Sequence, residues 1–422
     1  MKEVAVSDTF QQSTGRNGQA RFRNTAAMIS AAAPNFEAAH YQGIMALYAM
    51  PLADRTVQLA HGGPKVVDFV RCSYLGLDNH PDIAAGAARA VNEAGSLHWS
   101  CARTRLNFGI LGELEENLSD LFHARVVTFT TVLAANMSAL PLLASGHLTA
   151  GQKPLIVFDR LAHATLAHHK ATVSGETSVE TIRHNDLTTL EALCRTHKMV
   201  AYVCDGVYSM GGSAPLAELR VLQEKYGLFL YIDDAHGISI VGENGSGFAR
   251  ATFKELGERT IVAASLGKGF GASGGMLMLG TAAQELLFRR FSIAHAFSAS
   301  LNTAAIGAAE ASARIHRTEE LVKRQDTLRQ NLALLDQLIP TRDMASDLPI
   351  RTIRLGDELL SVAAARQLLQ LGFYTSAIFF PTISRGEAGL RICLTASHTQ
   401  SQIREICAAI DAIRAEIRQA EA

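Results

Sequence analysis

The chain has 422 residues and is close to electrically neutral, since 39 Lys and Arg residues stand against 40 Asp and Glu residues. Apolar residues make up 48% of the sequence and charged residues 19%, which supports a large buried core and excludes extensive disorder. A net charge of −1 lacks the basic excess of a typical nucleic-acid-binding protein. At roughly 150 residues per domain, this length predicts two or three domains.

The six cysteines are scattered along the sequence, and none forms a C-x-x-C pair. This usage is typical of a reducing compartment and argues against a disulfide framework or a structural zinc site. No apolar stretch reaches the ~18 residues of a membrane span, and the N-terminal sequence lacks the apolar core of a signal peptide. We therefore expect a cytoplasmic α/β protein with no bound metal and no membrane span.

Four short apolar runs in the middle of the chain each end in polar residues, and helical patterns lie between them. Runs of this length predict strands that are buried on both faces. Strands that alternate with helices predict a mostly parallel sheet, whose ligands bind beyond the carboxyl ends of the strands. The polar residues that end these runs should therefore meet in one crevice. The runs are 155–158, 199–204, 228–232 and 261–264.

The C-terminal part of the sequence has a different pattern. Isoleucines recur at helical spacing over 403–417, and Thr399 with Gln402 forms a capping box in front of them. Segments 347–355 and 389–395 resemble strands. We expect this part to contain a long connecting helix and a smaller α+β domain.

Lys268 lies in a short glycine-rich turn after the fourth apolar run. Glycines let the backbone approach a ligand closely, and a lysine there can form a Schiff base with an aldehyde cofactor. The G-x-G-x-x-G pattern at 269–274 does not indicate a dinucleotide site, because a strand-like segment follows it instead of a helix. Considered alone, Lys268 is better interpreted as an ordinary lysine in a surface turn.

Asp233 and His236 follow the third run. Pyridoxal 5′-phosphate (PLP) needs a carboxylate at its pyridine nitrogen and a donor at its phenolic oxygen, and the D-x-x-H pattern can supply both. His163 follows the first run and could cover an aromatic ring. Ser209 lies in a turn after the second run. Without further context, each could also be a residue with no ligand.

Several motifs, in this order from Tyr74 onward, together resemble those of the α-oxoamine synthases, a family of PLP-dependent enzymes. Each motif is weak alone, but the order and the spacing make the combination specific. The motifs are Tyr74-Leu75-Gly76-Leu77, Ala134-Ala135-Asn136, Asp159-Arg160-Leu161-Ala162-His163, His184-Asn185-Asp186, Tyr208-Ser209-Met210, Asp233-Asp234-Ala235-His236, Gly267-Lys268-Gly269-Phe270-Gly271 and Leu390-Arg391.

The resemblance implies the α/β fold of type I PLP-dependent aminotransferases, with a mostly parallel central sheet, helices on both faces and a smaller C-terminal α+β domain. It implies decarboxylative condensation of an L-amino acid with an acyl thioester of CoA or acyl carrier protein, giving an α-aminoketone, CO2 and free thiol. It also implies a homodimer with shared active sites. We expect an N-terminal arm, a large PLP-binding domain and a small domain at residues 1–60, 61–300 and 301–422.

The resemblance also implies roles for the residues around the cofactor ring. Lys268 would hold PLP as a Schiff base and later move protons. Asp233 would pair with the pyridinium nitrogen, while His236 and Ser209 would bind the phenolic oxygen. His163 would stack on the ring and assist acid–base steps.

Other residues would hold the cofactor phosphate. Backbone groups near Val132 and Leu133 and the hydroxyl of Ser265 would bind it from the same chain. Ser298 or Ser300 would add a phosphate contact from the neighbouring subunit of the implied dimer.

On the substrate side, Arg391 would pair with the amino-acid carboxylate, which a forked guanidinium fits better than a lysine. Arg105 corresponds to a further family arginine through its R-x-x-x-G context. An asparagine that the family often has is Cys72 in this chain. This and the other departures fall mostly on the substrate side and indicate a specialised biosynthetic pathway. The departures are Cys72, Val132, Gly211, Ser213 and Phe379.

Two alternatives remain open. A PLP-dependent aminotransferase or lyase of the same fold would move the amino group without consuming a thioester. A non-catalytic partner subunit is less consistent with the sequence, because such subunits lack the Schiff-base lysine and Lys268 is present.

Overall fold

The computed structural model describes residues 25–60, 62–99, 101–344 and 346–421. The first part of the expected N-terminal arm therefore lies outside the described residues, and the rest of it begins with a helix at Thr25–Tyr41. The helices of the described residues, in chain order, are α1 (Thr25–Tyr41), α2 (Pro81–Ala94), α3 (Gly109–Phe122), α4 (Val132–Ala144), α5 (Ala164–Ala167), α6 (Lys170–Val173), α7 (Leu187–Thr196), α8 (Leu216–Tyr226), α9 (Phe248–Thr252), α10 (Ala282–Phe291), α11 (Ile293–Ala296), α12 (Thr303–His316), α13 (Glu319–Leu338), α14 (Glu358–Gln370) and α15 (Gln400–Glu421).

The strands of the described residues form three sheets. Among the described residues, no helix is both long enough and apolar enough to cross a bilayer. The strands are β1 (Ala49–Pro51), β2 (Thr56–Leu59), β3 (Lys65–Asp68), β4 (Arg125–Phe129), β5 (Leu155–Asp159), β6 (Val179–Ile182), β7 (Val200–Asp205), β8 (Phe229–Asp233), β9 (Thr260–Ser265), β10 (Gly275–Leu279), β11 (Ile350–Gly356), β12 (Phe373–Tyr374), β13 (Ser376–Ile378) and β14 (Ala388–Cys393).

The largest sheet has seven strands in the order β4-β10-β9-β8-β7-β5-β6. The four apolar runs are β5, β7, β8 and β9, and every residue of these strands is buried. They pair in parallel, whereas β10 runs antiparallel to both β4 and β9. The predicted mostly parallel sheet is therefore confirmed, and burial on both faces explains why its strands lack polar alternation.

Helices cover both faces of this sheet. Alternate side chains along each strand point to opposite faces, so neighbours such as Val157 and Phe158 belong to different apolar clusters. Helices α3, α8 and α12 contribute to one cluster, and α4 and α10 contribute to the other. The expected aminotransferase-type layering is therefore confirmed.

The register of the parallel strands brings their carboxyl ends to one edge. Asp205, the last residue of β7, lies opposite Asp233, the last residue of β8. Asp233 lies in turn opposite Ala263, two residues before the end of β9. The crevice that the sequence predicted at this edge is the candidate site.

The C-terminal part contains an antiparallel sheet in the order β11-β14-β13, so the predicted strands near 347–355 and 389–395 are confirmed. The predicted capping box is also present, because the backbone N–H of Gln402 donates to Thr399 Oγ1 and that of Thr399 donates to Gln402 Oε1. Helix α15 begins directly after this cap, and its isoleucines pack into the core of this part.

The segment before the large sheet packs with the C-terminal part. Strands β1, β2 and β3 form a sheet that β12 joins by parallel pairing with β3. On α1, the ring of Phe36 lies 5.3 Å from that of Phe379 in an edge-on contact. The domain division at residues 60 and 300 stays a prediction, but these contacts associate β3 with the C-terminal strands.

Helices α2 and α12 cross at two glycines, which lets their backbones touch. A Cβ on Gly86 would lie 2.5 Å from the carbonyl oxygen of Gly307, and a Cβ on Gly307 would lie even closer to the carbonyl oxygen of Gly86. We expect Gly307→Ala to lower the free energy of unfolding by about 1–3 kcal/mol, because the helices must separate. Urea denaturation measures the change.

A helical glycine with open space around it provides the control. Gly112 lies in α3, and a methyl group added to its Cα would have no atom within 4 Å apart from its chain neighbours and the backbone of its own helix. Gly112→Ala should raise the stability by roughly 0.5–1 kcal/mol through helix propensity. Equal effects of the two substitutions would contradict the close crossing.

Candidate active site

Lys268 lies in a tight turn that connects β9 to β10. The turn is closed by backbone hydrogen bonds from Ala272 to Leu266 and from Leu266 to Gly274. Gly271 has a φ of +77°, and a side chain there would overlap Leu77, so this turn requires its glycine. The half-buried Lys268 side chain is thereby directed at the edge of the sheet, where its Nζ lies 2.8 Å from His236 Nε2.

His236 links Lys268 to Tyr74. The Tyr74 hydroxyl lies 2.6 Å from His236 Nδ1. Burial, followed by the charge of Lys268, lowers the pKa of His236 well below its ordinary value, and burial also lowers the pKa of Lys268. The histidine is therefore neutral near pH 7, and Lys268 loses its proton more readily than an exposed lysine.

The carboxylate of Asp233 is held by hydrogen bonds at both oxygens. The backbone N–H of Ala235 donates to Oδ1, and Asn136 Nδ2 donates to Oδ2 at 3.2 Å. The Tyr231 hydroxyl donates to Asn136 Oδ1 at 2.7 Å, which orients the amide. Asp233 is therefore fixed in direction before any ligand binds.

His163 is connected to Asp233 through Thr165. Asn136 Nδ2 donates to Thr165 Oγ1 at 3.1 Å, and the hydroxyl hydrogen is then free to be donated to His163 Nδ1 at 2.8 Å. Burial lowers the pKa of His163, so the ring is neutral and carries its proton on Nε2. Sequence reasoning placed Asn136 in a motif but missed this connection, because Thr165 carries no motif of its own.

Asp205 and Asp233 would place two negative charges side by side if both were ionised. Burial, followed by the charge of Asp233, raises the pKa of Asp205 well above its ordinary value. Asp205 therefore keeps its proton at neutral pH, and its Oδ1 accepts the backbone N–H of His163 at 3.0 Å. The protonated partner lowers the electrostatic repulsion at this edge.

Hydrogen-bond donors of the kind that suit an anion lie at the start of α4. Thr131 caps the helix by accepting the N–H of Ala134, so the N–H groups of Val132 and Leu133 remain available to a ligand. Ser265 is near them, because it pairs with Gly275 and a Cβ on Gly275 would lie 2.5 Å from the Val132 nitrogen. Its Oγ accepts the Gly267 N–H, which leaves the hydroxyl hydrogen for an anion.

Arg391 on β14 is 8% exposed and approaches the same crevice. Its Nε donates to the backbone carbonyl of Ser209 at 2.6 Å, and its Nη2 donates to Cys72 Sγ at 3.5 Å. The charge of Arg391 contributes, after burial, to the lowered pKa values of His236 and Lys268. The guanidinium therefore lies close enough to act on both.

The guanidinium of Arg391 has no carboxylate partner within ion-pair distance among the described residues. Among the other buried arginines, Arg55, Arg103 and Arg351 each pair with a carboxylate, whereas Arg250 donates to three backbone carbonyls instead. Arg391 has only one carbonyl and a thiol as acceptors, and a buried cation with so few acceptors is costly unless an anion binds it. Arg391 is therefore suited to binding a ligand carboxylate.

The remaining predicted residues have less specific surroundings. Ser209 is half-buried and its carbonyl is the group that contacts Arg391. Ser298 is half-buried, and the Ser300 hydroxyl donates to the Leu301 carbonyl. Arg105 is exposed. Their proposed ligand roles stay predictions.

The chemistry of this edge fits PLP. The crevice offers an amine for the aldehyde, a fixed carboxylate for the pyridine nitrogen and a neutral imidazole that can cover the ring. The start of α4 and Ser265 offer donors for a phosphate. The described residues contain no group of three or more His, Cys, Asp or Glu side chains that could hold a metal ion.

The carboxyl group of Asp234, next to Asp233, is enclosed by the fold. It is fully buried, its Oδ2 accepts the backbone N–H of Ala249 at 2.8 Å, and Gly206 and Gly237 pack against its carboxyl group. Burial raises the pKa of Asp234 to about 8. Its Oδ1 has no hydrogen-bond partner, so the proton can reside there.

Comparison with known proteins identifies a family and relatives that agree with the chemistry of this edge. The family model described as aminotransferase class I and II matches residues 64–410. An 8-amino-7-oxononanoate synthase of Sodalis glossinidius is 32% identical over 370 residues, which cover 83% of this chain and 88% of that protein.

Solved structures share the fold over nearly the whole chain. A Sphingomonas wittichii serine palmitoyltransferase superposes with a TM-score of 0.80 at 24% identity, covering 92% of this chain and 98% of the other. A serine palmitoyltransferase structure described as having PLP as an internal aldimine gives a TM-score of 0.78 at 22% identity, covering 94% and 98%.

We expect the buried carboxyl of Asp234 to make stability depend on pH. Its pKa is about 8 in the fold, against the ordinary value of 3.8. The folded state therefore binds a proton that the unfolded state has lost, and the stabilisation is complete below about pH 4 and disappears as the pH rises through about 8. Asp234→Asn, which resembles the neutral acid, should reduce this loss.

Denaturant unfolding of both proteins between pH 5 and 8 measures the effect. The difference in the free energy of unfolding between wild type and Asp234→Asn should change by up to about 1.4 kcal/mol per pH unit, the value for one proton. Parallel pH profiles would contradict a protonated Asp234.

Proposed function

This chain belongs to the aminotransferase class I and II family and, with its relatives, to the α-oxoamine synthases, and we propose that it condenses an L-amino acid with an acyl thioester. The products are an α-aminoketone, CO2 and the free thiol. PLP bound through Lys268 supplies the electron sink that stabilises the electron pair left on the amino-acid α-carbon. The arrangement of Lys268, His236 and Asp233 at one strand edge, beside an Arg391 without a carboxylate partner, carries the proposal.

Lys268 is the proton-transfer group of the proposal. Burial lowers the pKa of its amine, so that it can accept the α-proton of the substrate and return a proton later. Burial holds the pKa of Tyr74 well above its ordinary value, and its hydroxyl can therefore donate to His236 Nδ1. His236 then carries its proton on Nε2 and can donate to the neutral amine of Lys268.

Asp233 would hold the cofactor ring at its nitrogen, and His163 would cover the face of the ring. The Asp233 carboxylate keeps the pyridine nitrogen protonated, which increases the electron demand of the ring. The Asn136–Thr165 connection ties the two side chains together, so neither can turn away alone. A neutral His163 ring covers the cofactor face and excludes water from it.

Arg391 would orient the amino acid. Its Nε and Nη2 are engaged by Ser209 and Cys72, which leaves the two hydrogens of Nη1 to face the carboxylate. A substrate held there by its carboxylate, with its amine near Lys268, has limited freedom to rotate. This fixes which bond of the α-carbon is presented to the Lys268 amine.

We also infer a homodimer, supported by exposed apolar side chains around the start of α4. The backbone N–H of Arg103 donates to the carbonyl of His295, and the backbone N–H of Ala294 donates to Ser138 Oγ on α4. The exposed apolar side chains around these hydrogen bonds therefore form one surface, the α4 surface, which a second copy would cover. It consists of Leu97, Trp99, Leu106, Leu133, Met137, Phe291, Ile293 and Phe297.

The dimer prediction is tested at Phe297, whose side chain is 81% exposed. We expect the wild-type chain to sediment as a dimer and Phe297→Asp to shift it towards monomer, with weaker PLP retention, because a charge cannot be buried there cheaply. Leu371→Asp, at an exposed leucine outside the α4 surface, is the control and should stay dimeric. A monomeric wild-type protein would contradict the inference.

The function is tested by supplying PLP, a panel of L-amino acids and acyl thioesters of CoA or acyl carrier protein, and measuring free thiol and CO2. We expect one equivalent of each per amino acid consumed. Lys268→Ala should reduce turnover by about three orders of magnitude or more, whereas Lys254→Ala, at an exposed lysine, should not.

The same measurement separates the alternatives. Consumption of amino acid without thiol release would indicate an aminotransferase or a lyase. A protein that neither binds PLP nor turns over would indicate a partner subunit. A cytoplasmic location stays a prediction from the cysteine usage.

A further inference from the structure

Cys72 occupies an unusual position beside the proposed substrate arginine. Its half-buried side chain accepts a hydrogen bond from Arg391 Nη2 at 3.5 Å. The sequence resemblance places an asparagine here in many family members, and an amide is neutral at every pH. A thiol can ionise, so the substitution puts a titratable group against the guanidinium.

Cys393 adds a second thiol to the same position. Arg391 and Cys393 are two residues apart on β14 and therefore point to the same face. The backbone N–H of Cys393 donates to the carbonyl of Phe69, which brings β14 against the segment that carries Cys72. The two thiols lie close enough for each to shift the pKa of the other.

The surroundings decide which of the two sulfurs carries a charge. Of the two thiols, only Cys72 has a hydrogen bond from the Arg391 guanidinium. The neighbouring Cys393 and the charge of Arg391 lower the pKa of Cys72 against the opposing effect of burial, whereas the pKa of Cys393 is raised. Cys72 is therefore the thiol that ionises. The sulfur of Cys72 thus supplies the negative partner that Arg391 lacks among carboxylates.

Binding of an amino acid changes this balance. Its carboxylate brings a second negative charge to the same guanidinium, and two anions beside one buried cation repel each other. The other titratable groups that face Cys72 do not neutralise this excess negative charge. Tyr74 is held protonated, and the charge of Lys268 is offset by the carboxylate of Asp233.

Given the proposed function, we propose that Cys72 is a positioning residue that pairs with Arg391 in the free enzyme and takes up one proton when the substrate carboxylate binds. The proton comes from solvent or from the ammonium group of the substrate. The neutral thiol then remains as a hydrogen-bonding neighbour of Arg391. Amino-acid affinity is consequently coupled to pH through a group outside the cofactor.

The first test compares the pH dependence of KM for the amino acid in wild type and Cys72→Ser. Ionisation of the substrate amine affects both proteins equally, so the ratio of the two KM values isolates Cys72. We expect the KM of the wild type divided by that of Cys72→Ser to rise with pH by up to about tenfold per pH unit, which is the limit for one proton. The kcat should change little. Cys101→Ser, at an exposed cysteine, should follow the wild-type profile.

The second test counts protons without turnover. Calorimetric titration of the PLP-loaded enzyme with the same amino acid, in buffers of different ionisation enthalpy, gives the protons exchanged on binding. Wild type should take up about one proton more than Cys72→Ser at a pH within the range where the KM ratio changes. Cys72→Asn, which carries the frequent family residue, should agree with Cys72→Ser and guards against a folding defect in one variant.

These results test the role of Cys72 separately from the proposed condensation. A KM ratio independent of pH together with equal proton counts would overturn the role of Cys72, even if thiol and CO2 are released as proposed. Absence of thiol release with a one-proton difference intact would overturn the proposed condensation and leave Cys72 as the carboxylate-linked group.

Discussion

The adjacent carboxyl groups of Asp205 and Asp233 are the constraint on which the rest of the site depends. They end neighbouring strands of a sheet that is buried on both faces, where two like charges would be strongly unfavourable. The raised pKa of Asp205 resolves the conflict by retaining a proton. Asp233 can then serve as the carboxylate for a cationic ring nitrogen, and Asp205 accepts a hydrogen bond from the backbone of His163.

Helix α4 connects the Asp205–Asp233 pair to the end of the crevice that offers donors for a phosphate. Its first N–H groups are available to a phosphate, and Asn136, one turn later, donates to Asp233. The same helix can therefore position a cofactor at both its phosphate and its ring nitrogen. Lys268 and Arg391 approach from the turn after β9 and from β14, so residues from distant parts of the sequence act on one small ligand.

The sequence predicted the strands at the centre of the fold because burial on both faces leaves long apolar runs, as in β7 and β8. It predicted Lys268 and Asp233 because the chemistry of PLP demands those residue types next to such strands. It did not predict the Asn136–Thr165–His163 connection or the Tyr74–His236 contact, since these depend on how separate elements pack. The proximity of Cys72 and Cys393 was hidden for the same reason, because the two cysteines lie 321 positions apart in a 422-residue chain.

The protonation state of the cofactor nitrogen tests the central claim most directly. The enzyme would be reconstituted with PLP labelled with 15N in its ring and observed by NMR at neutral pH. If the Asp233 carboxylate is held at this edge beside a protonated Asp205, the nitrogen signal should be that of a protonated pyridine. The signal of a neutral pyridine nitrogen in the wild-type enzyme would contradict the account.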